Sequence, residues 1–131
     1  MQYLLLVYTD PDLLAALPAE EYDRLMRGCL EHAAELQARG ILLAAQKLEP
    51  PTTARTVRSR HGLSRVTDGP FAETKEILAG FNLIEAPDIE TAVQVAHEFP
   101  WIHYGSLEVR ALHDMQGERQ RVGATGAPGG L

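Results

Sequence analysis

The sequence predicts an α+β domain in which four strands form one antiparallel sheet and two helices cover one of its faces. Three observations lead there. Strand-like and helix-like segments alternate in the order β-α-β-hairpin-β-α-β, each helical segment is apolar along one stripe only, and two of the strands are apolar on both faces. Right-handed crossovers then interleave the two β-α-β halves as a ferredoxin-like sandwich with an inserted β-hairpin. The 131 residues suit one such unit and leave little room for a second.

Taken in order, "QYLLLVY" (2–8) is a continuous apolar run closed by "TDPD" and reads as a strand buried on both sides. "LPAEEYDRLMRGCLEHAAELQARG" carries helix signals: Pro18 at the start, Glu20 and Glu21 in the first turn, Arg39 in the last and Gly40 beyond it. At 100° per residue Tyr22, Met26, Cys29, Ala33 and Leu36 share one stripe, opposite Arg24, Arg27, Glu31 and Glu35. "ILLAAQKL" (41–48) is the next strand, ended by Pro50-Pro51. "TARTVRS" and "LSRVTD" flank "RHG" as an exposed hairpin, and "EILAGFNLIEA" (76–86) is a strand apolar on both faces. Asp88 opens the second helix, with Ile89, Ala92, Val93, Ala96 and Phe99 expected on its buried stripe. "YGSLEVRAL" (104–112) closes the sheet. The domain is thus expected over residues 1–114, with 115–131, which lack periodicity, forming a disordered tail.

Two helices cover only one face of a four-stranded sheet. Strands apolar on both faces therefore imply that a second copy of the chain stacks sheet to sheet as a homodimer. The formal net charge of −6 argues against nucleic acid as the main partner. With Cys29 as the lone cysteine, an intrachain disulfide and a cysteine-based metal site are excluded. The N-terminal apolar run has no basic leader and is too short to span a membrane, so a cytoplasmic protein with no membrane partner is expected.

Candidate chemistry is sparse. On the last strand Leu107, Val109 and Ala111 should meet the helices, which sends Glu108 and Arg110 to the other face, where they can pair or touch a ligand. Asn82 on the neighbouring strand is read the same way. His32 flanks the first helix's stripe, where it can look into a helix–sheet cleft or sit half-buried at the surface. His103 lies at an element boundary. His61 shares the hairpin tip with Arg58, Arg60 and Arg65, a cluster suited to solvent and able to attract an anion. The histidine spacings match no metal motif. In "VTDGPFAETKE" (66–76), Asp68 can accept backbone N–H groups in an Asx-type turn, Gly69 can supply an unusual φ and Phe71 can anchor the turn. That carboxylate is held rigidly, whether as architecture or at a cleft mouth.

The strings "DGPFAETKE", "AGFNLIEAPDIETAVQVAHEFP" and "YGSLEVRAL" together resemble the DGPF-type members of the YCII-related family, from "YLLLVY" to "EVRAL". The resemblance implies a dimeric α+β barrel built from ferredoxin-like subunits. It also implies a small-molecule cleft between helix and sheet served by a His–Asp pair, the histidine lying on the first helix. Here Cys29 stands at that histidine's position, His32 follows about one turn later, and Asp68 is the aspartate of the DGPF string. Asp68 is accordingly expected as acid or base and His32 as its partner, with Cys29, Asn82, His103, Glu108 and Arg110 lining or supporting the pocket. The related superfamily includes cofactor-free monooxygenases, isomerases and lyases acting on small cyclic or aromatic molecules, so no cofactor is expected. Some DGPF-type proteins resemble partners of extracytoplasmic-function sigma factors, which implies a non-catalytic binding or regulatory module as the alternative.

Overall fold

The computed structural model describes residues 1–70 and 72–126. Strands β1 (Gln2–Thr9), β2 (Leu42–Lys47), β5 (Ile77–Glu85) and β6 (Gly105–Ala111) form one antiparallel sheet in the order β2-β5-β1-β6. Strands β3 (Arg55–Arg60) and β4 (Leu63–Asp68) form a separate two-stranded ribbon. Helices α1 (Pro11–Ala15), α2 (Ala19–Ala38), α3 (Ile89–His97) and α4 (Met115–Val122) complete the chain, with 3-10 turns at Pro51–Thr53 and Pro100–His103. The four-stranded sheet with α2 and α3 on one face is the predicted ferredoxin-like sandwich.

Why α2 forms and where it stops is written in its ends. Pro18 caps it, Glu20 and Glu21 complement the exposed N–H groups of its first turn, and Gly40 at φ +75 turns the chain away. Tyr22, Leu25, Met26, Cys29 and Ala33 pack on the core, and Leu36 is fully buried in it. On the sheet the helix-side row of β1 is Tyr3, Leu5, Val7 and Thr9, all buried. Its cross-strand partners Val109 and Leu107 share that side. The opposite face presents Leu4, Leu6 and Tyr8 beside Phe81, Leu83, Glu108 and Arg110. No described helix covers that face as α2 and α3 cover the other.

Three expectations change. Asn82 does not look toward the open face: it lies opposite Leu5 and Ala45, on the helix side, and is buried. Both sides of β5 carry large apolar groups, so alternation alone leaves its phase undetermined, and pairing with β1 fixes it. On α3 the buried residues are Ala92, Val95 and Ala96, continued by Phe99, while Ile89 and Val93 stay exposed at 44% and 40%. The helix lies against β1 and the edge strand β6, so its outer flank overhangs the sheet. Within the stretch 115–131 expected as a disordered tail, Met115–Val122 form a helix, and 127–131 lie outside the described residues. Asp114 accepts from the Gly117 N–H at 2.9 Å to cap α4, and Gly123 at φ +68 ends it. No residue of α4 is buried, so its caps are joined by polar contacts that include Arg121–Glu118 at 2.6 Å, His113–Glu118 at 3.3 Å and Arg119 to the Thr125 carbonyl at 3.2 Å.

Candidate functional site

The "VTDGPFAETKE" string is a strap with two anchorages. Asp68 stands directly opposite Arg55 across the ribbon, and its carboxylate accepts from the Arg55 guanidinium. The Gly69 N–H donates to the Ala54 carbonyl at 2.7 Å, and the Gly69 carbonyl accepts from Thr56 Oγ1 at 2.8 Å. Gly69 holds φ +91, which a side chain would strain. These contacts close the base of the ribbon. The far end of the string reaches the sheet, where Lys75 Nζ lies 3.7 Å from Asp10 Oδ2 and Ser106 Oγ donates to Glu76 Oε1 at 2.6 Å. The expected anchoring role of Phe71 falls outside the described residues.

Asp68 is 85% exposed, and no described ion pair or hydrogen bond joins it to His32. His32 instead occupies the seam between α2 and the end of α3. Its Nε2 is 3.0 Å from Glu98 Oε1, but off the hydrogen-bond direction, which leaves that buried nitrogen without a hydrogen-bond partner among the described residues. Glu35 lies 4.0 Å from Nδ1, and the ring stands edge-on to Phe99 with centroids 6.1 Å apart. Because Asp68 keeps its turn through a surface contact, Asp68→Asn should leave the melting temperature unchanged within error in a thermal denaturation scan.

The other candidates scatter. Glu108 and Arg110 form the ion pair considered for them, at 2.7 Å, on the open face opposite Leu6 and Leu4. His103 is exposed at the end of the second 3-10 turn. Cys29 faces the core, where it meets the indole of Trp101. Burial raises the pKa of its thiol above the usual value, and the hydrogen bond from Trp101 works against that rise. Around this contact a polar cluster gathers that periodicity could not show. Trp101 and Tyr22 lie with ring centroids 6.1 Å apart, and Lys47 Nζ donates to the Tyr22 hydroxyl at 3.2 Å. Nζ is also 5.8 Å from the Tyr22 centroid. That is close to the hydrogen bond plus the centroid-to-oxygen length, so the ammonium sits off the hydroxyl end and the contact is a hydrogen bond, not a cation–π stack. Lys47 pairs with Gly80 on the helix side of the sheet, one row along from buried Asn82.

The family model for the YCII-related domain matches residues 1–116. The chain belongs to the YCII-related family. An uncharacterised protein of Rhizobium meliloti is 38% identical over 114 residues, spanning 86% of this chain and 92% of the relative. Among solved structures, 5-chloro-2-hydroxyhydroquinone dehydrochlorinase from Burkholderia phenoliruptrix, in complex with 2,5-dihydroxybenzoquinone, aligns with a TM-score of 0.51 at 13% identity. The alignment covers 86% of this chain and 94% of that one, a likeness of fold.

In this YCII-related chain the helix–sheet seam joins Tyr22, Cys29, Lys47 and Trp101, with buried Asn82 one row further along the sheet; sequence reasoning singles out Cys29 and Asn82 among these. Sequence reasoning also missed Asp10, which is 5% exposed, caps α1 by accepting from the Asp12 N–H at 3.0 Å, and receives Lys75 of the strap. The "TDPD" string, an acid before a proline at a helix start, was the available signal. Gly105 brings Trp101 to this end of β1: a Cβ there would meet the Tyr8 carbonyl at 2.0 Å, and the Asp10 N–H binds the Tyr104 carbonyl at 2.8 Å. Among the described residues no cluster of three or more His, Cys, Asp or Glu side chains is placed to hold a metal, and no helix is long and apolar enough to cross a membrane.

The raised Cys29 pKa has a sign that can be measured. The folded state holds its proton more tightly than the unfolded chain does, so stability is full below the ordinary thiol pKa and falls as pH rises past it. Denaturant titrations from neutral to alkaline pH should show that decline, and Cys29→Ala should flatten it.

Proposed function

We propose that this YCII-related protein binds a small planar hydroxylated molecule at the seam between α2 and the β2 side of the sheet, and moves a proton on it without a cofactor. The carrying observation is the convergence of the Lys47 ammonium, the Tyr22 hydroxyl and the Trp101 ring on one side of the sheet. Lys47 supplies a positive charge for a phenolate or enolate oxygen, the half-buried Tyr22 ring supplies flat apolar surface backed by the buried Trp101, and Tyr22 carries an exchangeable proton. The fold neighbour's complex with 2,5-dihydroxybenzoquinone supports this ligand class by analogy of fold. In this reading His32 belongs to the contact of α2 with the end of α3, through Glu98 and Phe99, and Asp68 belongs to the strap. The apolar row of Leu4, Leu6, Tyr8, Phe81 and Leu83 supports a second copy seated on the open face.

Trp101 is the chain's single tryptophan, so its emission reports on the seam directly. Titration with hydroxyquinones and hydroxybenzoates should quench it saturably, and Lys47→Ala should weaken binding about tenfold or more. Tyr22→Phe should retain binding and lose turnover. Absence of saturable quenching across the panel, or binding indifferent to Lys47, removes the reading. The surface pairing of Asp68 with Arg55 favours the non-catalytic alternative for the string itself; saturable binding with no turnover of any bound compound would extend that alternative to the whole chain.

A further inference from the structure

We infer that the β3–β4 ribbon is an arm that seats on a second copy of this chain, in the groove between α3 and β6. This rests on the stacked-dimer reading above and adds to it. The ribbon is pinned at its base by Arg55–Asp68, Gly69–Ala54 and Thr56–Gly69, yet its apolar side chains are exposed. Val57, Leu63 and Val66 are 71%, 74% and 61% exposed. Opposed residues share a face, so Val57–Val66 and Ser59–Ser64 lie together on one side, with Arg58–Arg65 and Arg60–Leu63 on the other. The tip is a tight two-residue turn, His61-Gly62, with both φ values positive. A lone two-stranded ribbon is marginal in water, and like charges directly opposite each other weaken it further. An isolated chain thus leaves its ribbon short of the burial that would keep it folded.

The same chain carries a surface that lacks what the ribbon offers. Ile89, Val93, Ala96, Ile102, Leu107 and Val109, with His97 beside them, line an open, mostly apolar groove of about 350 Å³ along the outer edge of the sheet. Exposed Glu90 sits beside Val93 on α3, one turn away. Four ribbon arginines accompany one acid in a chain whose net charge is −6, so the surface outside the ribbon is acidic and attracts it. Topology supplies the reach. The ribbon leaves from β2, at one edge of the order β2-β5-β1-β6, and the groove lies at β6, the other edge. A two-fold axis running along the strands stacks the open faces and sets β2 of one copy over β6 of the other. The ribbon of each copy then emerges beside the partner's groove, with its valine face available to fill it.

The test is cross-linking in the full-length chain with the native thiol removed. In a Cys29→Ser background, Val57→Cys and Val93→Cys are introduced on separate chains, which are mixed and treated with a short bis-maleimide. The expected result is a covalent dimer formed only when both variants are present, and abolished by adding Val66→Asp to the ribbon partner. A dimer in light scattering that yields no Val57–Val93 cross-link overturns the arm while leaving the stacked dimer intact. So does a dimer whose groove still binds a fluorescent apolar dye in a manner lost with Val93→Asp, because the groove would then be open to a foreign partner. A monomer at micromolar concentration removes both the arm and the stacked dimer.

Discussion

Phe99→Ala should lower the unfolding free energy by about 4 kcal/mol, the largest stability loss expected from a single side chain here. Phe99 is among the largest fully buried side chains, 2% exposed, where the end of α3 turns under α2. Truncation removes its buried apolar surface and opens a cavity that β1 and α2 cannot fill by relaxing, because both are held by neighbours on the sheet. The loss also reaches the contact between α2 and the end of α3. His32 rests edge-on against this ring, and Glu98 beside it faces His32, so the Glu98–His32 approach should loosen along with the core. Urea unfolding measures the first effect, and the ring-proton NMR shifts of His32 report the second. Phe99→Leu should restore most of the stability but not the shifts, since it fills volume without a ring. A loss below about 1 kcal/mol would mean that the two helices do not depend on each other through this residue.

Leu6→Glu should convert a dimer into a monomer that is still folded. Leu6 lies opposite Phe81 on one side and Glu108 on the other, in the middle of the open face. On an isolated chain the new carboxylate is half in water, directly opposite Glu108 and diagonal to an Arg110 that Glu108 already engages, a modest penalty. In a stacked dimer it would be buried twice, once per copy, without a partner. Stranding a charge in this way costs about 3 kcal/mol or more per copy, so about 6 kcal/mol for the dimer, equivalent to a loss in affinity on the order of ten-thousandfold. Light scattering across a concentration series reads the change, and circular dichroism confirms the fold. An unchanged dimer would place the interface elsewhere; a monomeric parent chain would take away the reason for the apolar open face.

The sheet and its covering helices were legible because each obeys a local period. The stripe on α2 and the outward phase of Glu108 and Arg110 follow directly from residue spacing. What failed was phase where spacing is silent. Asn82 sits between Phe81 and Leu83, so either face of β5 looks apolar, and a bulge between Val7 and Tyr8 breaks the count along the partner strand. The α3 stripe was misjudged on one flank, because the pattern cannot say that the helix lies at a sheet edge. "MQGERQR" contains no stripe at all, and only its caps mark it as helical. The seam is harder still: Tyr22, Lys47 and Trp101 come from three elements and meet through tertiary packing. Asp68 drew attention because its string is unusual, but rarity of sequence and closeness to a cleft are different properties.

The separation of the ribbon from the main sheet divides the chain into parts that open on different clocks. β1 is bonded along both edges, to β5 and β6, so its amides are released only when the whole sheet comes apart. The ribbon's amides depend on a single two-strand ladder closed by a handful of contacts at its root. Deuterium should therefore enter residues 55–68 while the β1 amides remain protected, and the exchange rate of that one segment becomes a gauge of whatever covers it.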